Sequence, residues 1–244
     1  MVPILLPKVW GGCRLAAFGK GVQPGDRIGE SWEVADMAAT SASGAGGGAV
    51  ISTIARGPLA GRTLRDALML WGDFLPADRR GSGGAFPLLI KFLDARENLS
   101  VQVHPNPAFV AAHPEAHLKT ECWFVVAHEP GAVIYKGLRP GVDRSQIEEV
   151  VRTNPSGIVG LLEAVPAVVG ECHNLPSGTV HALGAGVLVV EVQTASDTTF
   201  RVFDWGRTQR PLHAREALDC MEFAPASKAL NMAKNPTSGG GGGG

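Results

Sequence analysis

Short apolar segments separated by glycine and proline limit the possible folds of this chain more than any other feature. The 244 residues include 32 glycines and 17 prolines, spread along most of the sequence. Many short runs of this kind, with turn residues between them, are typical of a β-sandwich, barrel or jelly roll. The clearest runs are 86–93, 99–104, 122–127, 132–136, 187–194 and 198–205.

Helical patterns are few and short. Residues 61–75 place Leu64, Leu68, Trp71 and Leu75 at helical spacing, with Thr63 or Gly61 as a possible cap. Further short helices are expected at 106–113, 143–154 and 212–221, although the last segment could also be a closing strand. The sequence therefore predicts one mainly β domain over 1–224. The glycine-rich end, 225–244, is expected to be a disordered tail.

Charge and composition exclude several classes of protein. The net charge is −1, which argues against nucleic acid or an anionic membrane surface as the main partner. No run approaches 18 apolar residues, so no membrane-spanning helix is expected. The first residues lack the basic region and cleavage site of a signal peptide, and the four cysteines are far apart, so a reduced, cytoplasmic location is expected.

Polar side chains recur at every second position within two of the apolar segments. Ser100, Gln102 and His104 share one face of the first segment, because strand side chains alternate between faces. In the next segment Lys119 and Glu121 share a face with a tryptophan. A solvated strand face would also be polar at period two, but it would usually carry threonine, lysine and serine rather than histidine, glutamate and glutamine.

The same pattern returns near the end of the chain. His181 follows a Pro-Ser-Gly turn, and Glu191 shares a face with Gln193 in a strongly apolar run. Asp197 and Arg201 are expected on one face of the next strand, together with Thr199 and Phe203. The other five histidines lack such a setting and are interpreted as surface or core residues.

The residue types in these strands suit a metal ion. Two imidazoles, His104 and His181, with the carboxylate of Glu121 form a good ligand set for a divalent metal, and zinc accepts nitrogen and oxygen ligands. Gln102 could add a neutral amide oxygen. One carboxylate on a 2+ ion leaves a formal charge near +1, which stabilises a developing oxyanion and suits Lewis-acid chemistry.

Several separated motifs resemble those of type I phosphomannose isomerases, the zinc-dependent mannose-6-phosphate isomerases of the cupin superfamily, and specifically their short bacterial branch. The resemblance covers most of residues 3–220 in the right order. It implies a cupin jelly-roll β-barrel or sandwich with a catalytic domain over 1–224. The motifs are GESWEVADM, FPLLIKFLDARENLSVQVHP, KTECWFV, LPSGTVHALGAGVLVVEVQTASDTTFRVFDW and LHAREAL.

The resemblance also implies an activity and a set of site residues. The activity is the interconversion of mannose 6-phosphate and fructose 6-phosphate, by proton transfer between C1 and C2 through a cis-enediol(ate). One Zn²⁺ per chain would be held by Gln102, His104, Glu121 and His181. Substrate-binding and catalytic roles fall on Ser100, Lys91, Lys119, Glu191, Asp197 and Arg201. Glu191 and Asp197 are both candidates for the general base, since a base needs a lone pair at neutral pH.

Two departures from the family pattern keep other functions open. The chain is too short for the helical insert and second cupin-like domain of the long members, and Leu118 stands where some members have a histidine. A metal-binding cupin that binds a sugar phosphate without turnover is therefore the alternative. An iron-dependent cupin oxygenase is less consistent with Gln102 and the nearby lysines and arginine.

Overall fold

The computed structural model describes residues 1–40, 47–72, 76, 79–113, 115–223 and 230–231. These residues form a mainly β fold with four short α-helices. The strands are β1 (Ile4–Gly12), β2 (Ile28–Val34), β3 (Asp36–Met37), β4 (Val50–Ile51), β5 (Leu88–Asp94), β6 (Val101–Val103), β7 (Glu121–His128), β8 (Val133–Leu138), β9 (Leu162–Pro166), β10 (Glu171–Leu175), β11 (His181–Leu183), β12 (Val187–Thr194), β13 (Phe200–Phe203) and β14 (Leu230–Asn231). The helices are α1 (Leu64–Leu70), α2 (Pro107–Ala112), α3 (Arg144–Thr153) and α4 (Ala214–Cys220).

The strands make two main sheets with antiparallel pairings. The larger sheet has the order β1-β2-β5-β12-β7-β10-β14, and the smaller one has the order β13-β6-β11-β8-β9. Strands β3 and β4 form a separate pair. Neighbours in the sheets are often distant in sequence, as expected for a jelly roll. The predicted mainly β fold is confirmed.

A hydrophobic core lies between the two sheets. Trp123, Val189 and Leu93 of the larger sheet pack with Ile134 and Leu183 of the smaller one, all at most 2% exposed. The outer face of the smaller sheet is covered by helices and contributes to a second core. That core includes Val101, Val103, Ala182 and Val202 from the strands with Phe109, Ile147 and Ala217 from the helices. Because strand residues alternate, covering one face with helices leaves the other face to line the space between the sheets.

The helices begin where the sequence provides a cap. Thr63 and Asp143 each form a reciprocal capping box, and Asn106 accepts a hydrogen bond from the backbone N–H of Phe109. The expected helix at 61–75 begins at Leu64 but ends at Leu70, and the predicted apolar position Leu75 lies outside the described residues. The segment 212–221 is helical over Ala214–Cys220.

Two findings concern the ends of predicted elements. The predicted strand 198–205 is shorter than expected, over Phe200–Phe203, and Asp197 precedes it. Leu230–Asn231, inside the predicted tail, pairs with β10, while residues 224–229 and 232–244 lie outside the described residues. Within the described part of the chain, no helix is long and apolar enough to cross a membrane.

Candidate metal centre and substrate cavity

Three strands bring a compact cluster of potential metal ligands together between the sheets. His104 follows β6, while Glu121 and His181 are the first residues of β7 and β11. Their ligand atoms all lie within 4.8 Å of one another. Glu121 Oε1 is 3.1 Å from His181 Nε2, and Glu121 Oε2 is 3.2 Å from His104 Nε2. Each of the three residues is 1% exposed. The sequence-predicted trio therefore converges on one buried point.

The hydrogen bonds around this cluster fit a metal ion. Nδ1 of His104 lies 3.0 Å from the carbonyl of Thr198, and Nδ1 of His181 lies 2.8 Å from that of Thr179. When Nδ1–H donates to a carbonyl, Nε2 keeps a free lone pair. Burial, with the charge of a nearby lysine, lowers the pKa of His104 to about 3, so its ring is neutral. Both Glu121 oxygens are buried without a hydrogen-bond partner among the described residues. The donor set therefore fits a divalent cation.

Gln102 lies beside this cluster in the smaller sheet. It is paired in register with His181 on one side and with Arg201 on the other. Its amide nitrogen is 3.3 Å from His181 Nε2, and its Oε1 is 3.5 Å from Ser100 Oγ. A half-turn of the amide would direct Oε1 to the same point as the histidine lone pairs. The predicted fourth ligand is thus adjacent to the other three.

Lys119 borders the same cluster with its amine. Its Nζ lies 2.9 Å from Glu121 Oε2 and 3.1 Å from His104 Nε2, and the residue is 4% exposed. Burial alone would raise the pKa of Glu121, but Lys119 and the two histidines outweigh it and hold that pKa well below its ordinary value. Glu121 is therefore an anion at neutral pH, as a metal ligand requires.

A second charged group faces the cavity from the larger sheet. Lys91 Nζ lies 3.0 Å from Glu191 Oε1, and Trp123 Nε1 donates to Glu191 Oε2 at 2.8 Å. Glu30 lies on the other side of Lys91, at 3.7 Å, and accepts a hydrogen bond from Trp32 Nε1 at 2.7 Å. Burial opposes ionisation of Glu30, yet the neighbouring lysines and Trp32 lower its pKa to about 2. Glu30, Lys91 and Glu191 therefore form a row in which acidic and basic side chains alternate.

Arg201 is a buried cation with free hydrogen-bonding capacity. It is 4% exposed, and its Nε and Nη1 have no hydrogen-bond partner among the described residues. Its backbone N–H instead donates to His213 Nδ1 at 3.3 Å. Burial, together with the charge of Arg210, lowers the pKa of Arg201, but guanidinium remains charged in proteins. A buried charge without partners indicates a site for an anion.

These groups line one cavity beside the metal cluster. The space open to a water-sized sphere measures about 70 Å³, and the whole cleft with its open mouth measures about 620 Å³. Its charged lining comprises five cationic and three anionic side chains, a net charge of +2: Lys8, Lys91, Lys119, Arg201, Arg210, Glu30, Glu191 and Asp197. Ser100, Gln102 and Thr199 line it as well. The cavity therefore favours a small polar anion.

The structure corrects one part of the sequence interpretation. Asp197 and Arg201 do not lie on one face of a single strand, because β13 begins only at Phe200 and its register shifts after Arg201. Phe203 consequently packs with the helix-covered core rather than on the cavity side. Asp197 is half-buried at the cavity lining. The expectation that Asp197 and Arg201 share one face of a strand was wrong, since Asp197 lies outside β13.

Sequence reasoning missed several cavity residues. Lys8, Glu30 and Trp32 come from β1 and β2, and Arg210 comes from the loop after β13. Glu30 and Trp32 are two residues apart in a strand, which is the same period-two signal that identified the other site residues. Lys8 is spaced in the same way from Trp10 in β1, whereas Arg210 carries no such signal. Leu118 is 40% exposed and does not line the cavity.

A jelly roll with a histidine–glutamate cluster between its sheets defines a cupin-type metalloprotein. Residues 7–134 match the family model of the phosphomannose isomerase type I catalytic domain. The probable mannose-6-phosphate isomerase GmuF of Bacillus subtilis is 37% identical over 233 residues, covering 93% of this chain and 69% of GmuF. This chain therefore belongs to the type I phosphomannose isomerase family.

Solved structures agree with this assignment. The mannose 6-phosphate isomerase from Bacillus subtilis superposes with a TM-score of 0.75 at 31% identity, over 93% of this chain and 69% of that one. A mannose 6-phosphate isomerase described as holo and zinc bound has a TM-score of 0.61 at 17% identity, over 92% of this chain and 74% of that one. The second likeness shows a common fold.

Proposed function

We propose that this chain interconverts mannose 6-phosphate and fructose 6-phosphate, with residues 1–224 as its catalytic domain. The family membership supports the reaction class, and the net positive cavity beside a metal-type cluster supports a sugar phosphate as substrate. The observation that carries the proposal is Arg201, whose buried guanidinium has unpartnered N–H groups where the cavity meets the cluster. An anionic substrate would provide the missing partner.

Gln102, His104, Glu121 and His181 would hold one zinc ion. Their fit rests on the two histidine Nε2 atoms, which lie 3.1 and 3.2 Å from the Glu121 oxygens, and on the burial of all three side chains. When bound, zinc would supply Lewis-acid polarisation of the sugar carbonyl and stabilise negative charge on oxygen. Zinc is also what the holo relative of the same fold contains.

The remaining polar residues would bind and orient the sugar phosphate. Arg201 presents a planar fork of N–H donors that matches a phosphate or an enediolate. Lys91 and Lys119 add positive charge from opposite sides of the cavity, each already paired with a carboxylate. Ser100 adds a hydroxyl beside Gln102. Together they would hold the substrate with C1 and C2 toward the metal cluster.

Two carboxylates remain candidates for moving the proton between C1 and C2. Glu191 is fixed by Lys91 and Trp123 and lies next to the reacting end of the cavity. Asp197 is half-buried at the lining. A carboxylate oxygen that accepts one hydrogen bond still has a lone pair for a substrate proton, so both groups satisfy the chemical requirement.

An assay of the zinc-loaded chain tests the proposal. Mannose 6-phosphate is supplied, and fructose 6-phosphate is measured with a coupled enzyme; Glu191→Gln and Asp197→Asn are compared through their pH–rate profiles. We expect turnover by the wild type. The variant that lacks the general base should lose most of this turnover, and its pH–rate profile should lack the acidic limb. Tight binding of mannose 6-phosphate to zinc-loaded protein, without turnover at any pH, would instead establish the non-catalytic sugar-phosphate cupin.

A further inference from the structure

A pair of cysteines lies outside the metal centre and the substrate cavity. Cys122 is in β7 and Cys172 is in β10, two strands that pair directly in the larger sheet. Both are partly exposed, whereas Cys13 is exposed and Cys220 is buried. The isomerase chemistry uses neither of them. Their position on the outer side of the sheet leaves them accessible to small reagents.

The two thiols are already in contact. Cys122 Sγ and Cys172 Sγ are 2.7 Å apart, which is shorter than an ordinary non-bonded contact between two sulfur atoms. In the ladder Cys172 is opposite Phe124 and Cys122 is opposite Asn174, so the two cysteines are diagonal neighbours on one face of an antiparallel pair. A disulfide requires a sulfur–sulfur distance of about 2.05 Å and closely spaced strands. The two sulfur atoms therefore need to approach each other by about 0.7 Å to form the bond.

The position of Cys122 connects this pair to the metal centre. Glu121 precedes it and Trp123 follows it, and both side chains point to the opposite, buried face of β7. Glu121 is a candidate metal ligand, while Trp123 holds Glu191 by a hydrogen bond. A covalent link at Cys122 would therefore fix the strand that positions both residues.

We propose that Cys122 and Cys172 form a reversible intramolecular disulfide that cross-links β7 to β10 when the protein meets a low-molecular-weight disulfide. This proposal is independent of the isomerase activity. It assigns the pair as an oxidative modification site on the outer face of the larger sheet.

The oxidation balances with a small disulfide as the electron acceptor. One cysteine, as its thiolate, attacks a sulfur of the reagent, whose S–S bond breaks and releases one small thiol. The second cysteine loses its proton and attacks the sulfur of the resulting mixed disulfide, which releases the second small thiol. The protein thus loses two protons and two electrons, and one reagent molecule is reduced to two thiols.

The test uses the full-length, zinc-loaded chain and oxidised glutathione. After incubation, free thiols are blocked with N-ethylmaleimide, and the intact mass and peptide map are recorded. We expect a protein that gains two fewer maleimide groups than the reduced control, with a cross-linked peptide containing Cys122 and Cys172, and full reversal by dithiothreitol. Cys172→Ser should give only a glutathione adduct, whereas Cys13→Ser should keep the cross-link.

A thermal melt provides the second measurement. The cross-link spans 50 residues of sequence, so it should raise the melting temperature by at least about 3 °C in the wild type and in Cys13→Ser. It should not do so in Cys172→Ser. Glutathione adducts without a cross-link, dimers joined through Cys13, or a cross-linked protein that melts no higher than the reduced one would each overturn the proposal.

Discussion

Replacement of Arg201 by methionine separates a substrate-binding role from a structural one. The change removes the charge and the N–H donors and keeps an unbranched side chain of similar reach. Arg201 is 4% exposed, and its Nε and Nη1 lack partners among the described residues. In the absence of substrate, the guanidinium therefore bears a desolvation cost with little compensation from hydrogen bonds. Its removal should leave the melting temperature unchanged or raise it.

The magnitude follows from the number of free donors. A hydrogen bond to a charged group contributes about 1.5–3 kcal/mol, and two donors of Arg201 are free. Allowing for partial compensation by Lys91 and Lys119, a loss of about 3 kcal/mol is expected. Since about 1.4 kcal/mol corresponds to a tenfold change in rate, kcat/KM should fall by at least about a hundredfold. Zinc content should not change.

The assay combines coupled isomerase kinetics, metal analysis and thermal melts with and without fructose 6-phosphate. Wild-type protein should be stabilised by the ligand, and Arg201→Met should lose most of that shift. Arg207→Met is the matched control, because Arg207 pairs with Asp204 at 2.8 Å and does not line the cavity. It should melt lower yet keep its turnover per folded molecule. The reasoning is refuted if Arg201→Met melts many degrees lower while its folded fraction turns over normally.

Further predictions concern the metal and the pH dependence of stability. His104→Ala and His181→Ala should each lose bound zinc and nearly all activity, measured by metal analysis and the coupled assay, and full zinc content in both would contradict the ligand assignment. Glu121→Gln should weaken zinc binding, measured by competition with a chelator, because it removes the anionic ligand. An unchanged affinity for zinc would exclude Glu121 as a ligand. The carboxylate of Glu30, with its pKa lowered to about 2, stabilises the fold above pH 4.5 and loses that contribution as the pH falls toward 2. Denaturant titrations should therefore show a smaller acid loss in Glu30→Gln than in the wild type, and parallel curves would refute this. Burial, with a contribution from Lys136, lowers the pKa of His173 to about 4, so wild-type stability should fall as the pH drops from 6.5 to 4, and His173→Leu should lack this fall; parallel curves would contradict it.

Alternation within single strands correctly predicted which side chains share a buried face in β7 and β12. The faces of β7 and β12 are as expected: Glu121 and Trp123 are buried, and so are Glu191 and Gln193, while Phe124 is exposed. This succeeded because a strand with one buried face has a fixed period of two, whatever its partners are. The pattern failed at β13, where a register shift after Arg201 changes which side chains face inward.

The register between strands could not be read from the sequence, because it depends on pairings between distant segments. In the smaller sheet Arg201 is level with Gln102, which is level with His181, which is level with Lys136. In the larger sheet a second row contains Trp32, Lys91, Glu191, Trp123 and His173. These rows bring the metal-type cluster and the charged cavity side by side. The period of two along a strand identifies which of its side chains share a face. Which faces of different strands come together is determined only by the fold.

Two cations in these rows have buried nitrogens without a hydrogen-bond partner in the described part of the chain, and they differ in a way that bears on function. The nitrogens are Nζ of Lys136 and Nε and Nη1 of Arg201. Burial lowers the pKa of Lys136, and an amine can lose its proton and become neutral. A guanidinium cannot do so at physiological pH, since its charge persists even when it is buried. Arg201 therefore keeps a positive charge that no side chain neutralises, and an anion entering the cavity is what would compensate it.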